Sequence, residues 1–224
     1  MKIKAVIFDM YETLITHYKS PLYFSEEMAK DAGISVDKFL PLWRATEKDR
    51  WIGKLTFEDT ITMIMEKNNC YSKENLDKIT KRRVETKEEG FRQLHEEIIP
   101  MFEALKKSGV KVGLISNCFS EEAAVIRKSI LFPYFDEVYL SYEQGLQKPD
   151  REIYKRCMKD FNVKAEECIY IGDGGCMELE TAEELGMNPY QAVWYFQDGL
   201  VHQSKRNPKF DQLEKPMDVL ELIS

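Results

Sequence analysis

A chain of 224 residues, 43% of them hydrophobic, is long enough for one sizeable core and a smaller appended unit. Its formal net charge of −7 argues against a general nucleic-acid-binding surface, which needs a basic face. No apolar run approaches the ~20 residues of a membrane span, and the cysteines Cys70, Cys118, Cys157, Cys168 and Cys176 form no Cys-x-x-Cys pair.

Met1-Lys2-Ile3-Lys4 leads straight into the first strand-like run without a signal-peptide pattern, so a reduced, cytoplasmic protein is expected. That run ends at Phe8, and Asp9 then opens the segment Asp9-Met10-Tyr11-Glu12-Thr13-Leu14. A carboxylate where a buried strand emerges is placed for chemistry, because ligands of open α/β sheets gather outside the carboxyl ends of the strands.

Between about residues 17 and 89 the strand runs stop and apolar residues recur at helical spacing, as in Phe39, Leu42 and Trp43 and in Ile61, Ile64 and Met65. The pattern predicts an all-helical insert with helices at 21–31, 36–51, 57–67 and 73–89, the first two and the last stopped by Gly33, Gly53 and Gly90.

Strand and helix then alternate, predicting a parallel sheet wrapped by helices. Helix 98–108 stops at Gly109, and strand 110–115 ends in Ser116-Asn117. Ser120 caps a helix to 131. After the short run 138–140 come Lys148-Pro149-Asp150, with Pro149 suited to the first turn of a helix that runs over 151–161. Strand 168–171 closes with Gly172-Asp173-Gly174-Gly175, whose glycines allow a tight turn and close approach to a ligand. A helix over 177–185, a fifth strand over 192–196 and an amphipathic terminal helix over 217–223 complete the chain.

An Asp-x-x-x-Thr-Leu loop, a Ser at the second strand end, a Lys-Pro-Asp and a Gly-Asp followed five residues later by an acid resemble, in this order, the haloacid dehalogenase superfamily of hydrolases. The resemblance spans about the whole chain. It implies an α/β fold: a Rossmann-like parallel-sheet core at 1–16 and 90–224 with helices on both faces, and an inserted helical cap at 17–89 hinged near Thr16 and Gly90. It also implies Asp9 as a nucleophile that forms a covalent aspartyl intermediate, Ser116 as a donor to a phosphoryl oxygen and Lys148 as the group that holds Asp9 and offsets charge. Thr13 and Asn117 would lie beside the substrate. Three acids, Asp9, Asp173 and Glu178, face one lysine in this reading, so the site demands a cation. Mg2+ is the natural one, held by Asp9, the Tyr11 carbonyl and Asp173, with Glu178 acting through water. The implied activity is that of a magnesium-dependent phosphatase of a small, anionic phosphorylated metabolite.

Tyr11 departs from that pattern. Phosphatases of the family generally carry Asp there as general acid, and a phenol of pKa about 10 is poorly matched to the task. Tyrosine at this place is similar instead to the family's 2-haloacid dehalogenases, which work without metal and cradle the halide with a cap arginine, for which Arg44 is the candidate. Those dehalogenases lack the Gly-Asp turn found here. A third reading is a member that has lost its acid and binds a ligand or partner without turnover. Glu12 stands where glycine is more usual and is a candidate for the missing acid, although as a neighbour of Tyr11 its side chain is expected to point away from the site. His17, His95 and His202 read as ordinary surface or packing residues.

Overall fold

The computed structural model describes residues 2–200 and 203–223; His202 lies outside the described residues. Six parallel strands, β1 (Ala5–Phe8), β2 (Lys111–Ser116), β3 (Glu137–Leu140), β4 (Cys168–Gly172), β5 (Asn188–Ala192) and β6 (Gln212–Leu213), form one sheet in the order β3-β2-β1-β4-β5-β6. The chain steps outward from β1 through β2 to β3, then returns to place β4 on the other side of β1. The order therefore reverses beside β1, which puts the ligand crevice of an open sheet at the carboxyl ends of β1 and β4.

β1 is buried at all four positions because both of its faces are covered. Val6 and Phe8 point into a cluster with Phe102 and Leu105 of α6 (Ile98–Ser108), Ile126 of α7 (Ser120–Lys128) and Val219 of the terminal 3-10 helix. Ala5 and Ile7 enter a second cluster, with Tyr154 and Phe161 of α9 (Arg151–Phe161) and Leu179 of α10 (Glu178–Glu184). Helices thus cover both faces, as the alternation of elements requires.

Five helices lie between β1 and α6: α1 (Ser25–Ala32), α2 (Val36–Ala45), α3 (Glu47–Trp51), α4 (Phe57–Lys67) and α5 (Lys73–Arg92). They have a core of their own, built on Tyr23, Met28, Phe39, Ile61, Met65 and Ile79. The helix expected over 36–51 is broken at Thr46. Its hydroxyl donates to the carbonyls of Leu42 (3.3 Å) and Trp43 (3.0 Å), and Arg50 also donates to the Trp43 carbonyl (2.8 Å), so side chains take acceptors that a continuous helix would use. Gly90 does not stop α5 but lies buried within it, where an added Cβ would meet only Ile15 and the Thr16 carbonyl at 3.6 and 3.7 Å.

Other expectations shift by a few residues. Phe119 rather than Ser120 is the N-cap of α7, and the Ser120 hydroxyl accepts instead from Phe57 N at 2.9 Å. Pro149 precedes α9 rather than entering its first turn, after a cis Lys148–Pro149 bond, and Asp150 caps the helix by accepting from Glu152 N at 2.9 Å. The fifth strand forms at 188–192, ahead of the expected 192–196. Pro189 lacks an N–H, but β6 pairs only with Gln191 and Ala192, so that position needs no ladder donor on its outer side. β6 itself, two residues long, carried no legible signal. A short α8 (Ser141–Gln144) follows β3, and the Tyr142 carbonyl lies so close to Gly53 that a side chain there has no room.

The insert is bound to the core by buried charge. Arg83 of α5 donates to Glu121 Oε1 and Glu122 Oε1, both at 3.0 Å, and to the Tyr23 carbonyl at 3.0 Å, while Lys87 Nζ lies 2.7 Å from Glu122 Oε1. Burial alone would raise the Glu122 carboxyl, but Lys87 and Arg83 overcome it and hold the group down at about 2. Two cations and two anions thus balance where neither pair reaches solvent. Arg83→Met, which leaves Glu121 and Glu122 facing Lys87 alone, is expected to lower the unfolding free energy by about 3–5 kcal/mol in denaturant titrations. A loss below about 1 kcal/mol would mean that the cluster is solvated and binds the two parts weakly.

Candidate active site

β1 delivers Asp9 into the crevice, and the ladder to β4 continues one residue past the strand, with Asp9 N donating to the Ile171 carbonyl at 2.8 Å. The loop that follows is held by aromatic residues from the segment after β5: Trp194 Nε1 donates to the Thr13 carbonyl (2.6 Å) and Tyr195 OH to the Leu14 carbonyl (3.3 Å). Glu12 sits at φ 56, a left-handed conformation that favours glycine. Its carboxylate accepts from Thr16 Oγ1 (2.7 Å), His17 N (2.9 Å) and Gln203 Nε2 (2.9 Å), so it staples the loop and is not free to act as an acid.

Lys148 is locked by Asn117, whose side chain both donates to the Lys148 carbonyl (3.0 Å) and accepts from Lys148 N (2.8 Å). The ammonium, 3% exposed, reaches Asp9 Oδ1 at 2.7 Å, Tyr170 OH at 3.3 Å and Glu178 Oε2. Burial opposes its charge, but Asp9 and Glu178 more than offset this and hold it above the ordinary lysine range. Glu178 is fully buried and also accepts from Tyr170 OH (2.9 Å) and Gly174 N (3.1 Å). Its carboxylate fills the space beside Gly172 where a side chain would project, so only glycine fits there. Burial pushes the Glu178 carboxyl up to about 8, with Lys148 pulling the other way and Asp9 and Asp173 adding to the rise.

Asp173 completes the group: one oxygen from each of Asp9, Asp173 and Glu178 lies within 4.8 Å of the others. Its Oδ1 accepts from Gly175 N at 2.9 Å, and its carbonyl is held by Gln191 Nε2 at 2.8 Å. Burial raises the Asp9 carboxyl, with Asp173 adding to the rise against the pull of Lys148. Three carboxylates facing one ammonium are hard oxygen donors short of positive charge, which suits a hard divalent cation. Asp9 and Asp173 have oxygens to offer it. Glu178 is taken by Lys148, Tyr170 and Gly174, which favours an indirect role.

A cavity of about 460 Å³ opens over these groups. Asp9, Asn117, Lys148 and Asp173 line it from the core, and Phe24, Leu40, Trp43, Arg44 and Trp51 from the insert. Arg44 is thus at the cavity, as the sequence suggested. Ser116 and Thr13 are fully buried and outside the lining, and each hydroxyl lacks a partner. Asn117 reaches the cavity, but its amide is committed to the Lys148 backbone, which makes it a positioning group.

Sequence reasoning missed the flank of the cavity. Tyr11 stacks on His17 with ring centroids 4.7 Å apart at 20°, its hydroxyl is buried without a partner, and burial pushes that phenol well above its usual range. His17 Nδ1 lies 3.4 Å from Lys87 Nζ, so His17 is a cavity residue rather than a surface or packing one. Arg83 and Lys87 also line the cavity. The signal was present: Leu76, Ile79, Arg83, Lys87 and Gly90 fall at helical spacing on the buried face of α5, so the two cations occupy apolar-face positions.

The proteins to which the chain is similar include phosphatases and dehalogenases. A glyceraldehyde 3-phosphate phosphatase of Methanocaldococcus jannaschii is 40% identical over 85 residues, which is 37% of this chain and 37% of the relative, so the match spans little more than a third of either. A HAD phosphatase from Thermococcus onnurineus superposes with a TM-score of 0.67 at 17% identity, covering 99% of this chain and 98% of that one. A 2-haloacid dehalogenase from Pseudomonas syringae superposes equally well, at 0.67, with 19% identity and the same coverage. At such identities the two structures speak for the fold alone. The model of the haloacid dehalogenase-like hydrolases matches residues 3–186, from the strand that delivers Asp9 to the end of the helix after Asp173, and the chain belongs to that family.

Proposed function

We propose that the protein is a magnesium-dependent phosphatase acting on a small phosphorylated metabolite through an aspartyl phosphate at Asp9. The observation that carries this reading is the cluster of Asp9, Asp173 and Glu178 within 4.8 Å, balanced by Lys148 alone. Asp9, Asp173 and the Tyr11 carbonyl would hold Mg2+, with Glu178 behind them. When bound, the ion neutralises phosphoryl oxygens and the acids around it.

Asp9 attacks phosphorus with the carboxylate oxygen not held by Lys148, and the ester oxygen leaves with its electron pair. Water then hydrolyses the acyl phosphate and regenerates Asp9. Lys148 fixes the nucleophile and meets charge that builds on the transferring group. Ser116 and Thr13, with unpartnered hydroxyls at the ends of β2 and of the first loop, are the donors that a bound phosphoryl group would engage after a small adjustment. The residues at 17–89 act as a cap that excludes water from this step. Tyr11 and Arg44 favour a second reading, carbon–halogen hydrolysis, in which Arg44 cradles the halide and the metal is dispensable.

Calorimetric titration of the free protein with Mg2+ is expected to show one site, weakened at least tenfold in Asp173→Asn; a wild type that binds no Mg2+ would sink the phosphatase reading. Asp9→Asn is expected to abolish phosphate release while leaving the thermal transition near that of the wild type, since the amide keeps the shape and loses the nucleophile. Residual turnover above about 1% in a stopped assay would exclude Asp9 as the attacking group. A panel of 2-haloacids read by halide release checks the second reading with the same preparations.

Tyr11→Asp restores a carboxyl two residues after the nucleophile and is expected to raise hydrolysis of alkyl phosphates selectively, each tenfold gain corresponding to about 1.4 kcal/mol of barrier. An equal change for alkyl esters and for acetyl phosphate would mean that Tyr11 does not stand in an acid's place.

A further inference from the structure

We propose that the ester cleaved is an aryl or heteroaryl phosphate, whose ring lies against the wall formed by Trp43, Trp51 and Phe119; the inference rests on the phosphatase reading above. Two independent features of the cavity lead to it, one on the insert and one on the loop after β1.

Trp43 and Trp51 of the insert and Phe119 of the core form an aromatic stretch of the cavity lining that is held rigid. Arg50, fully buried, sits with its guanidinium carbon 3.4 Å from the Trp43 ring centroid and 4.1 Å from that of Phe119. Trp43 meets Phe119 edge-on at 6.0 Å, and Trp51 stacks on Phe119 at 6.1 Å with 19° between the planes. Arg50 has no carboxylate partner; it donates to the Trp43 carbonyl, and its Nε and Nη1 are buried and unpaired. Buried donors without acceptors weaken a fold. What this arginine does in exchange is clamp two cavity-lining rings in fixed positions. Flat, fixed aromatic surfaces recognise a flat ring better than a polyol, whose hydroxyls would lose water and find few acceptors there.

On the loop after β1, no carboxyl is left to protonate a departing oxygen. Position 11 is a buried phenol, and Glu12 is engaged by Thr16, His17 and Gln203. Transfer to Asp9 forms one P–O bond and breaks the ester P–O bond, and the leaving oxygen keeps the electron pair and takes its proton from water. An aryl oxide, with a conjugate acid of pKa about 10, can leave in this way, whereas the far more basic alkoxide leaves much more slowly. The ring that suits the wall thus also suits a loop whose position 11 offers no carboxyl acid.

Recognition and leaving-group ability are separated by a panel that varies both: phenyl phosphate (ring, good leaving group), benzyl phosphate (ring, poor), acetyl phosphate (no ring, better still) and glycerol 3-phosphate (neither), with ring recognition read through KM. The expected order of kcat/KM places phenyl phosphate first, at least tenfold above acetyl phosphate through KM and at least a hundredfold above benzyl phosphate through kcat. Binding is read without chemistry by competition with phenyl-, cyclohexyl- and methylphosphonate. Phenylphosphonate is expected to bind roughly two- to tenfold tighter than cyclohexylphosphonate, the margin of ring stacking over apolar burial. Trp51→Leu is expected to remove that margin. Equal affinity of the three phosphonates for the wild type, which needs no variant to fold, would overturn the aromatic wall as a recognition surface. Benzyl phosphate cleaved as fast as phenyl phosphate would overturn the aryl-oxygen requirement. Hydrolysis of acetyl and glycerol phosphates with no aryl advantage would overturn the inference and leave the phosphatase standing, whereas a panel wholly resistant to cleavage would remove both.

Discussion

The ammonium of Lys148, buried between Asp9 and Glu178, is the constraint on which the rest of the site depends. Without it three carboxylates would converge in a place from which water is largely excluded. With it, part of that negative charge is offset, and a divalent cation can offset the rest before a substrate phosphate brings its own. Much of the surrounding structure serves to hold that nitrogen still. Asn117 ties down its backbone, Tyr170 shares its partner Glu178, and Gly172 leaves the room that the Glu178 carboxylate fills. Asp9 inherits its position from the opposite side, through the ladder between β1 and β4.

A second buried ionic group, Arg83 and Lys87 with Glu121 and Glu122, does for the insert what Lys148 does for the site. Because Arg83, Lys87 and Glu122 also line the cavity, the contact that joins insert to core and the wall of the cavity are partly the same residues. The insert supplies aromatic surface and the core supplies carboxylates and an ammonium. The two halves meet over Tyr11 and His17, whose stacked rings fill the flank between them.

Phosphatase and dehalogenase structures fit this chain equally well, so fold leaves the reaction open. The donor set separates the two chemistries. Asp173 and the glycine turn around it place a third acid near Asp9, which has a use when a cation is bound and is a repulsive burden when none is. Tyr11 pulls toward the dehalogenase pattern, but its phenol is buried and unpaired, and in the proposed metal-dependent site what it would change is the supply of a proton.

The sequence by itself determined the order of elements, the two-sided burial of the sheet and the strand ends that carry Asp9 and Asp173. Apolar periodicity and glycine placement are local properties of the chain, and the parallel sheet follows from them once the elements alternate. The carboxylate cluster was legible for the same reason, because residues at carboxyl ends of adjacent strands must converge. Tertiary structure decided the rest. Arg83 and Lys87 fall on the apolar face of α5, but only packing supplied Glu121 and Glu122 as their partners. His17 gained its place from stacking on Tyr11, and Glu12 lost its freedom to Gln203, nearly two hundred residues away. The break at Thr46 and the strand at 188–192 likewise depended on which donors and acceptors had partners elsewhere. Such pairings join residues far apart in the chain, and no local pattern encodes them.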